Sequence, residues 1–340
     1  MQSGGHPTAI DLLVSNMKTK LKLSHTYPPL LRFLRSRYSR KLPLLALLGI
    51  TPGLQAQTWT APATAQTNAT KKAEEQKAVR HEVSLSADYL YGLGKVGIPF
   101  NFSGALGESF DKQVNEADRK SSFYGATLSY SVSQAWYVDA SFATGKTTGT
   151  MTPDALSIAM PFTIDESTYQ GFMRYNFPGL RGKRFSAYMR LGLTYTQADV
   201  SGLTDQTASQ WYGIKNTTED LLGNLGFGMS YTLFTGLHAR LAAQAEGEGF
   251  FGQRSQSPKE LLVAESKIRA EETSFENLVG GGVGRVTLRY QYRFGETGRL
   301  RAFVDAGVQG KYTAIHYKGV GTFNELLWGP YTRVGLGYSF

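Results

Sequence analysis

The 340-residue chain contains no cysteine, which removes disulfide frameworks, thiolate zinc centres and cysteine nucleophiles together. Histidine is scarce, with five residues in all. His81, His238 and His316, the three that follow residue 56, lack metal-ligand spacing. Proline is sparse at 12 residues, whereas glycine reaches 38. No apolar run is long enough to cross a bilayer as a helix, so a helical membrane protein is excluded. Charged residues make up 19% and hydrophobic residues 41%, which is too apolar a balance for a wholly disordered chain.

Positive charge is in excess, with 36 Lys+Arg against 27 Asp+Glu and a formal net charge of +9. Such a balance suits a nucleic-acid partner only if the excess lies on the folded part. It does not. Residues 1–56 hold Lys18, Lys20, Lys22, Arg32, Arg35, Arg37, Arg40 and Lys41 against Asp11 alone, which is +7 and leaves +2 for residues 57–340. The basic run leads into Leu42-Pro43-Leu44-Leu45-Ala46-Leu47-Leu48-Gly49-Ile50, the order of an export signal. Cleavage is expected after Ala56, with Ala63-Thr64-Ala65 as a second small-x-small site, and Met17-Lys18-Thr19-Lys20 offers a second start. Residues 57–81 are Ala/Thr-rich without apolar period and read as a disordered linker. No nucleic-acid partner is expected.

From residue 82 to residue 340 the chain alternates with period two. Ten strands are expected, at about 82–91, 122–132, 136–145, 167–177, 185–196, 220–233, 237–251, 282–294, 299–312 and 327–340. In the fifth, Met189, Leu191 and Leu193 share one face and Ser186, Arg190 and Thr194 the other. Each is roughly the ten residues that cross a bilayer at a tilt. The connections alternate: 133–134, 178–183, 235–236 and 295–298 are tight, while 92–120, 146–165, 197–219, 252–280 and 313–326 read as long loops. Aromatics gather at the strand ends, with Tyr130, Trp136, Tyr175, Phe294 and Phe340 beside the tight turns and Tyr91, Tyr124, Tyr169, Tyr195, Phe251, Tyr312 and Trp328 opposite. Two aromatic belts flanking Leu, Val and Ala mark two membrane interfaces. An open sheet would leave unpaired backbone in lipid, so the barrel must close. The expected fold is a closed antiparallel transmembrane β-barrel of ten strands, with short periplasmic turns and long external loops. Eight or twelve are the alternatives, because 92–120 has room for a further hairpin.

The chain ends Tyr331-Thr332-Arg333-Val334-Gly335-Leu336-Gly337-Tyr338-Ser339-Phe340. With that ending it resembles the bacterial outer-membrane β-barrel proteins over about residues 82–340, preceded by their kind of signal peptide. The resemblance implies an outer-membrane location, contact with outer-membrane lipid, and passage through the outer-membrane assembly machinery. In that class Val334, Leu336, Tyr338 and Phe340 would be the assembly signal; they also suit the lipid face of the last strand.

The inward face is expected to carry nine bases, Arg174, Arg190, Arg240, Arg285, Arg289, Arg293, Arg301, Lys311 and Arg333. Six acids stand against them, Glu82, Asp88, Asp139, Glu246, Glu248 and Asp305. These suit either an ion-paired network filling the lumen or a narrow pore whose basic stripe, Arg285, Arg289 and Arg293 beside Arg301, favours anions. Small barrels are filled by their own side chains, so the network is the expectation. Ten strands are also similar to the omptin-like proteases, which use an acidic pair and an Asp/His pair to activate water. Here 252–280 holds no His, His238 falls at a tight turn, His316 lacks a neighbouring Asp, and Asp165-Glu166 suits a solvated loop. No catalytic, cofactor-binding or metal site is expected. Residues 261–272 suit a short surface helix. The expected role is non-enzymatic, structural or surface-interacting; a narrow anion-leaning channel comes second and an omptin-like hydrolase third.

Overall fold

A computed structural model describes residues 81–100, 113–152, 158–178, 184–204, 212–263, 266–269, 275–295, 297–317 and 321–340. The segment 1–56, with its export pattern, and all of the linker except His81 lie outside the described residues.

Period-two alternation becomes eleven strands: β1 (Glu82–Phe100), β2 (Gln113–Ser131), β3 (Trp136–Met151), β4 (Met160–Asn176), β5 (Phe185–Leu203), β6 (Tyr212–Thr235), β7 (Ala239–Val263), β8 (Ser266–Arg269), β9 (Phe275–Phe294), β10 (Leu300–Tyr317) and β11 (Gly321–Ser339). All pairings are antiparallel, in the order β6-β5-β4-β3-β2-β1-β11-β10-β9-β7-β8, and β6 also pairs with β7. That last pairing closes the sheet. β8 is a four-residue strand on the far end of β7, so the wall has ten strands, not eight or twelve.

The register gives the barrel's shear. Ala87 leads through Ala126, Phe142, Tyr169, Tyr195, Leu221, Gln253, Leu278 and His316 to Thr322, yet Ala87 itself pairs with Val334, twelve residues along β11. A shear of 12 on ten strands tilts them by about 40° and gives about 2.5 Å of height per residue.

The ten wall strands run from 16 residues in β3 to 25 in β7, well beyond the ten residues expected. The stretches 92–120, 146–165, 197–219, 252–280 and 313–326, expected as loops, are therefore largely strand. Residues 92–100 and 113–120 continue one hairpin instead of adding another. Within 261–272, residues 261–263 and 266–269 are strand and not helix. The opposite end closes tightly. Ser133 Oγ accepts from the Ala135 and Trp136 N–H groups at 3.3 and 3.1 Å, and Gly295 and Gly298 turn the chain at φ 68° and 58°, a region open to glycine at little cost. We call the two ends of the barrel the turn end and the loop end.

The alternation changes meaning along each strand. Near the turn end the outward residues are apolar and exposed, among them Leu85, Leu128, Leu191, Leu193, Leu225, Val286 and Leu336. Toward the loop end they are polar and exposed: Lys95, Lys120, Lys146, Asp165, Asp199, Ser201 and Glu219. The interior inverts in step. Its loop-end half holds two apolar clusters. One joins Val96, Ile98, Ala117, Met151, Met160, Phe162, Ile164, Val200 and Ile214. The other joins Leu222, Phe250, Val279, Ile315 and Tyr317, with Val114 and Phe323 packed on it. Each draws from six strands, so side chains from facing walls meet across the lumen.

Candidate functional site

The charged interior of the turn-end half is built by residues of inward phase on eight strands. Each of the six inward acids holds one inward base. Arg333 Nε donates to Asp88 Oδ1 at 2.5 Å. Arg289 grips Asp305 with two bonds, Nε to Oδ1 at 2.6 Å and Nη2 to Oδ2 at 2.7 Å. Arg190 meets Glu248 at 2.5 Å, Arg285 meets Glu246 at 3.3 Å, and Arg174 meets Asp139 at 3.3 Å. Arg301 pairs with Glu82. The guanidinium fork can take a carboxylate edge-on and still present its face, and here the faces are used as well. Arg285 lies 4.0 Å from the Tyr331 ring centroid, Arg289 4.6 Å from Phe303, Arg174 4.7 Å from Tyr137, and Arg190 4.8 Å from Phe172.

Hydroxyls and amides join the pairs. Tyr331 Oη donates to Asp88 at 2.9 Å, Tyr188 Oη to Glu246 at 2.6 Å, and Asn224 Nδ2 to Glu248 at 2.5 Å. The Tyr188 and Asn224 bonds bind β5 to β7 and β6 to β7 across the closing pair of the sheet.

The remaining three inward bases stand apart. Arg240 gives its Nε and Nη2 to Thr232 Oγ1. Lys311 lies 5.8 Å from the Phe250 ring. Arg293 is exposed at the turn-end rim and joins no ion pair among the described residues. The basic stripe expected from Arg285 to Arg301 is thus interrupted, because Arg285, Arg289 and Arg301 are each neutralised by a carboxylate.

A second cluster was not legible in the sequence. Arg254 on β7 grips Asp220 on β6 with bonds of 2.7 and 2.9 Å and reaches Glu325 on β11 at 3.4 Å. Burial opposes the Arg254 cation, but Asp220 and Glu325 outweigh it and hold its proton more firmly than usual. Burial pushes the nearby Tyr317 phenol up to about 12, against the pull of Arg254. Arg254 and Glu325 fall within stretches read as loops. Only their period-two phase, continued past the second aromatic belt, would have placed them inward.

Above the ion-pair level, Leu90, Leu327 and Tyr331 form a third apolar cluster with Phe123. Between it and the loop-end clusters lies a small polar cavity of about 50 Å³, room for only a few waters. A larger cavity, about 370 Å³, lies at the wall formed by β6, β7, β9 and β10. It is lined mainly by residues of outward phase, among them Phe227, Met229, Gly284 and Val286, together with the inward Glu246 and Arg285.

The acidic pair Asp165-Glu166 is split by the pleat, since Asp165 is exposed on the outer wall and Glu166 lines the small cavity. His316 is exposed and bonded to Thr322 at 3.2 Å. No group of three or more His, Cys, Asp or Glu suited to a metal occurs among the described residues. At the C-terminus, Val334, Leu336, Tyr338 and Phe340 lie exposed on the outer wall. His81, counted with the linker, stacks between Tyr130 and Phe340 at 6.0 and 5.9 Å between centroids. Its carbonyl accepts the Phe340 N–H at 3.0 Å.

No family model and no curated protein matches the chain. Among solved structures it is similar to the outer membrane protease OmpT from Escherichia coli, with 10% identity and a TM-score of 0.44 over 77% of this chain and 97% of that one. It is also similar to the beta domain of the Bordetella autotransporter BrkA, with 13% identity, a TM-score of 0.37, and coverage of 77% and 100%. OprG from Pseudomonas aeruginosa aligns at 14% identity and a TM-score of 0.34, covering 77% and 96%. Ten antiparallel strands closed on themselves are the fold.

Proposed function

We propose that the protein is a non-enzymatic barrel of the bacterial outer membrane, with a filled lumen, whose protruding loop-end half serves a structural or surface-interaction role. The observation that carries this reading is the double inversion of the wall. An outward apolar band stands over a charged, ion-paired interior, and a polar exterior stands over an apolar interior. An apolar band about 25 Å tall covers roughly ten residues of each strand. The remaining six to fifteen extend past it, as a water-exposed head must.

Residues 1–56 act as the cleaved export signal, Val334, Leu336, Tyr338 and Phe340 as the assembly signal, and lipid covers the outward Leu and Val residues. The filled lumen argues against the anion-leaning channel, since six of the nine inward cations are matched by carboxylates and the head closes above them. The split of Asp165 from Glu166 argues against the omptin-like hydrolase.

Conductance in a planar bilayer tests the reading. No discrete openings are expected, whereas reproducible anion-selective openings would install the channel in its place. A protein that stays in the soluble fraction would remove the membrane location. Cleavage of a basic peptide panel by purified barrel would restore the hydrolase.

A further inference from the structure

The turn-end mouth is charged in a way the rest of the barrel is not. Arg240, Arg293 and Arg301 point inward at the last rungs of β7, β9 and β10, and Arg184 and Arg299 are exposed in the adjoining turn residues. Glu82 stands at this rim and is paired with Arg301. At the loop end, by contrast, Lys95, Lys120, Lys146 and Lys215 are interspersed with Glu116, Asp118, Asp165, Asp199 and Glu219. There Lys95 is paired with Glu116.

Two details give the rim arginines a direction. Arg293 and Arg301 are direct cross-strand partners; Glu82 serves Arg301, and Arg293 joins no ion pair among the described residues, so the like charge beside it is offset on one side only. Their strand phase is that of the lumen. The residues that point into the outer wall at the same rungs are Tyr292, Phe294 and Leu300, all exposed. Lipid headgroups surround the wall, not the mouth, so a bilayer phosphate meets the aromatic ring of residues first. A carboxylate-bearing chain approaching along the barrel axis meets the arginines. Guanidinium forks suit carboxylates bidentately.

We infer that the turn-end mouth is a docking surface for an acidic polypeptide on the side of the membrane where the short turns lie. The side rests on the short turns being periplasmic, as expected from the outer-membrane reading; the surface and its chemistry do not. Binding of a fluorescent hexaglutamate peptide to detergent-solubilised barrel, followed by anisotropy, tests it. Affinity is expected to fall steeply with salt. It should weaken about tenfold or more in the Arg184→Gln/Arg293→Gln/Arg299→Gln variant, which removes three exposed guanidinium groups from the mouth. The Lys95→Gln/Lys120→Gln/Lys146→Gln variant should bind like the unaltered protein. Heat-modifiable gel migration verifies that each variant is closed.

Equal binding by both variants, or none by the unaltered barrel, overturns the proposal. So does stronger competition by anionic phospholipid nanodiscs than by free hexaglutamate, which would assign the arginines to headgroups. Because the assay is done in detergent, a protein found outside the outer membrane would overturn the proposed location while leaving this outcome readable.

Discussion

Along β5, Leu191 and Leu193 face out while Arg190 faces in; a few residues later Asp199 and Ser201 face out while Val200 is buried. The strand, the hydrogen-bond ladder and the pleat are continuous across this change. What changes is the solvent each face meets. In the turn-end half the outer face carries Leu, Val and aromatic rings and the interior carries charge, an arrangement stable when the outside is hydrocarbon. In the loop-end half the interior is an ordinary apolar core and the outside is polar, the arrangement of a soluble β protein. One barrel therefore obeys two opposite burial rules, and the junction lies at the ring of Tyr91, Tyr124, Tyr169, Tyr195, Phe251, Tyr312 and Trp328.

The two halves should fail differently when their interiors are damaged. Arg333→Met leaves Asp88 buried beside Tyr331 without its cation, and should cost about 3–5 kcal/mol in urea unfolding from lipid vesicles. Adding Asp88→Leu should recover much of the loss, because removing both charges ends the uncompensated burial. Phe162→Ala opens a void in the head and should cost about 3–5 kcal/mol. The damage there should show as protease cleavage confined to the head, with the heat-modifiable shift retained. Cleavage spread through both halves would mean that they do not open separately.

The outer faces separate the halves next. Leu193→Arg puts a cation in the apolar band and should cost about 2–4 kcal/mol. Thr148→Arg, on the outer face of the head, should change stability by less than about 0.5 kcal/mol. Equal costs would place lipid around both halves or around neither.

How much of this was legible follows from the same inversion. Period two placed Leu191 outward and Arg190 inward, because a strand of fixed phase needs only to know which face is wet. Past Tyr195 the polar residues move to the outer face, and read with the rule of the first half, Gln197, Asp199 and Ser201 look like a solvated loop. The phase never broke; the hydrophobicity assigned to it did. This is why Arg254 and Glu325 were counted among loops. Pairing is a further step, since alternation puts Arg190, Glu246 and Glu248 inside but does not tell that Arg190 takes Glu248 while Glu246 takes Arg285.

Alkaline titration distinguishes the head on its own. The Tyr317 phenol is raised to about 12 by burial, from an ordinary value of about 10. A group raised on folding adds stability that is complete below its unfolded value and is lost as pH climbs through the folded one. The head should therefore weaken between about pH 10 and 12, and Tyr317→Phe should remove that part of the decline. Phenolate absorbance recorded alongside should show one tyrosine fewer in the late phase; an unchanged late phase would assign the decline to another group.

A smaller effect than either interior loss belongs to the seam between β1 and β11, where chain order gives no help and two distant segments must find each other. His81 lies between Tyr130 and Phe340 and donates from Nδ1 to the Ser131 carbonyl at 3.0 Å, while Glu82 N–H donates to Ser131 Oγ at 2.5 Å. His81→Ala removes the stacking and should cost about 1 kcal/mol, the usual worth of an aromatic pair beyond its area. His81→Phe should keep most of it. Refolding into vesicles should slow in the first variant, since β1 and β11 close last if the hairpins form in chain order. A variant that loses stability but folds at the unaltered rate would mean that the stack locks the seam only after closure.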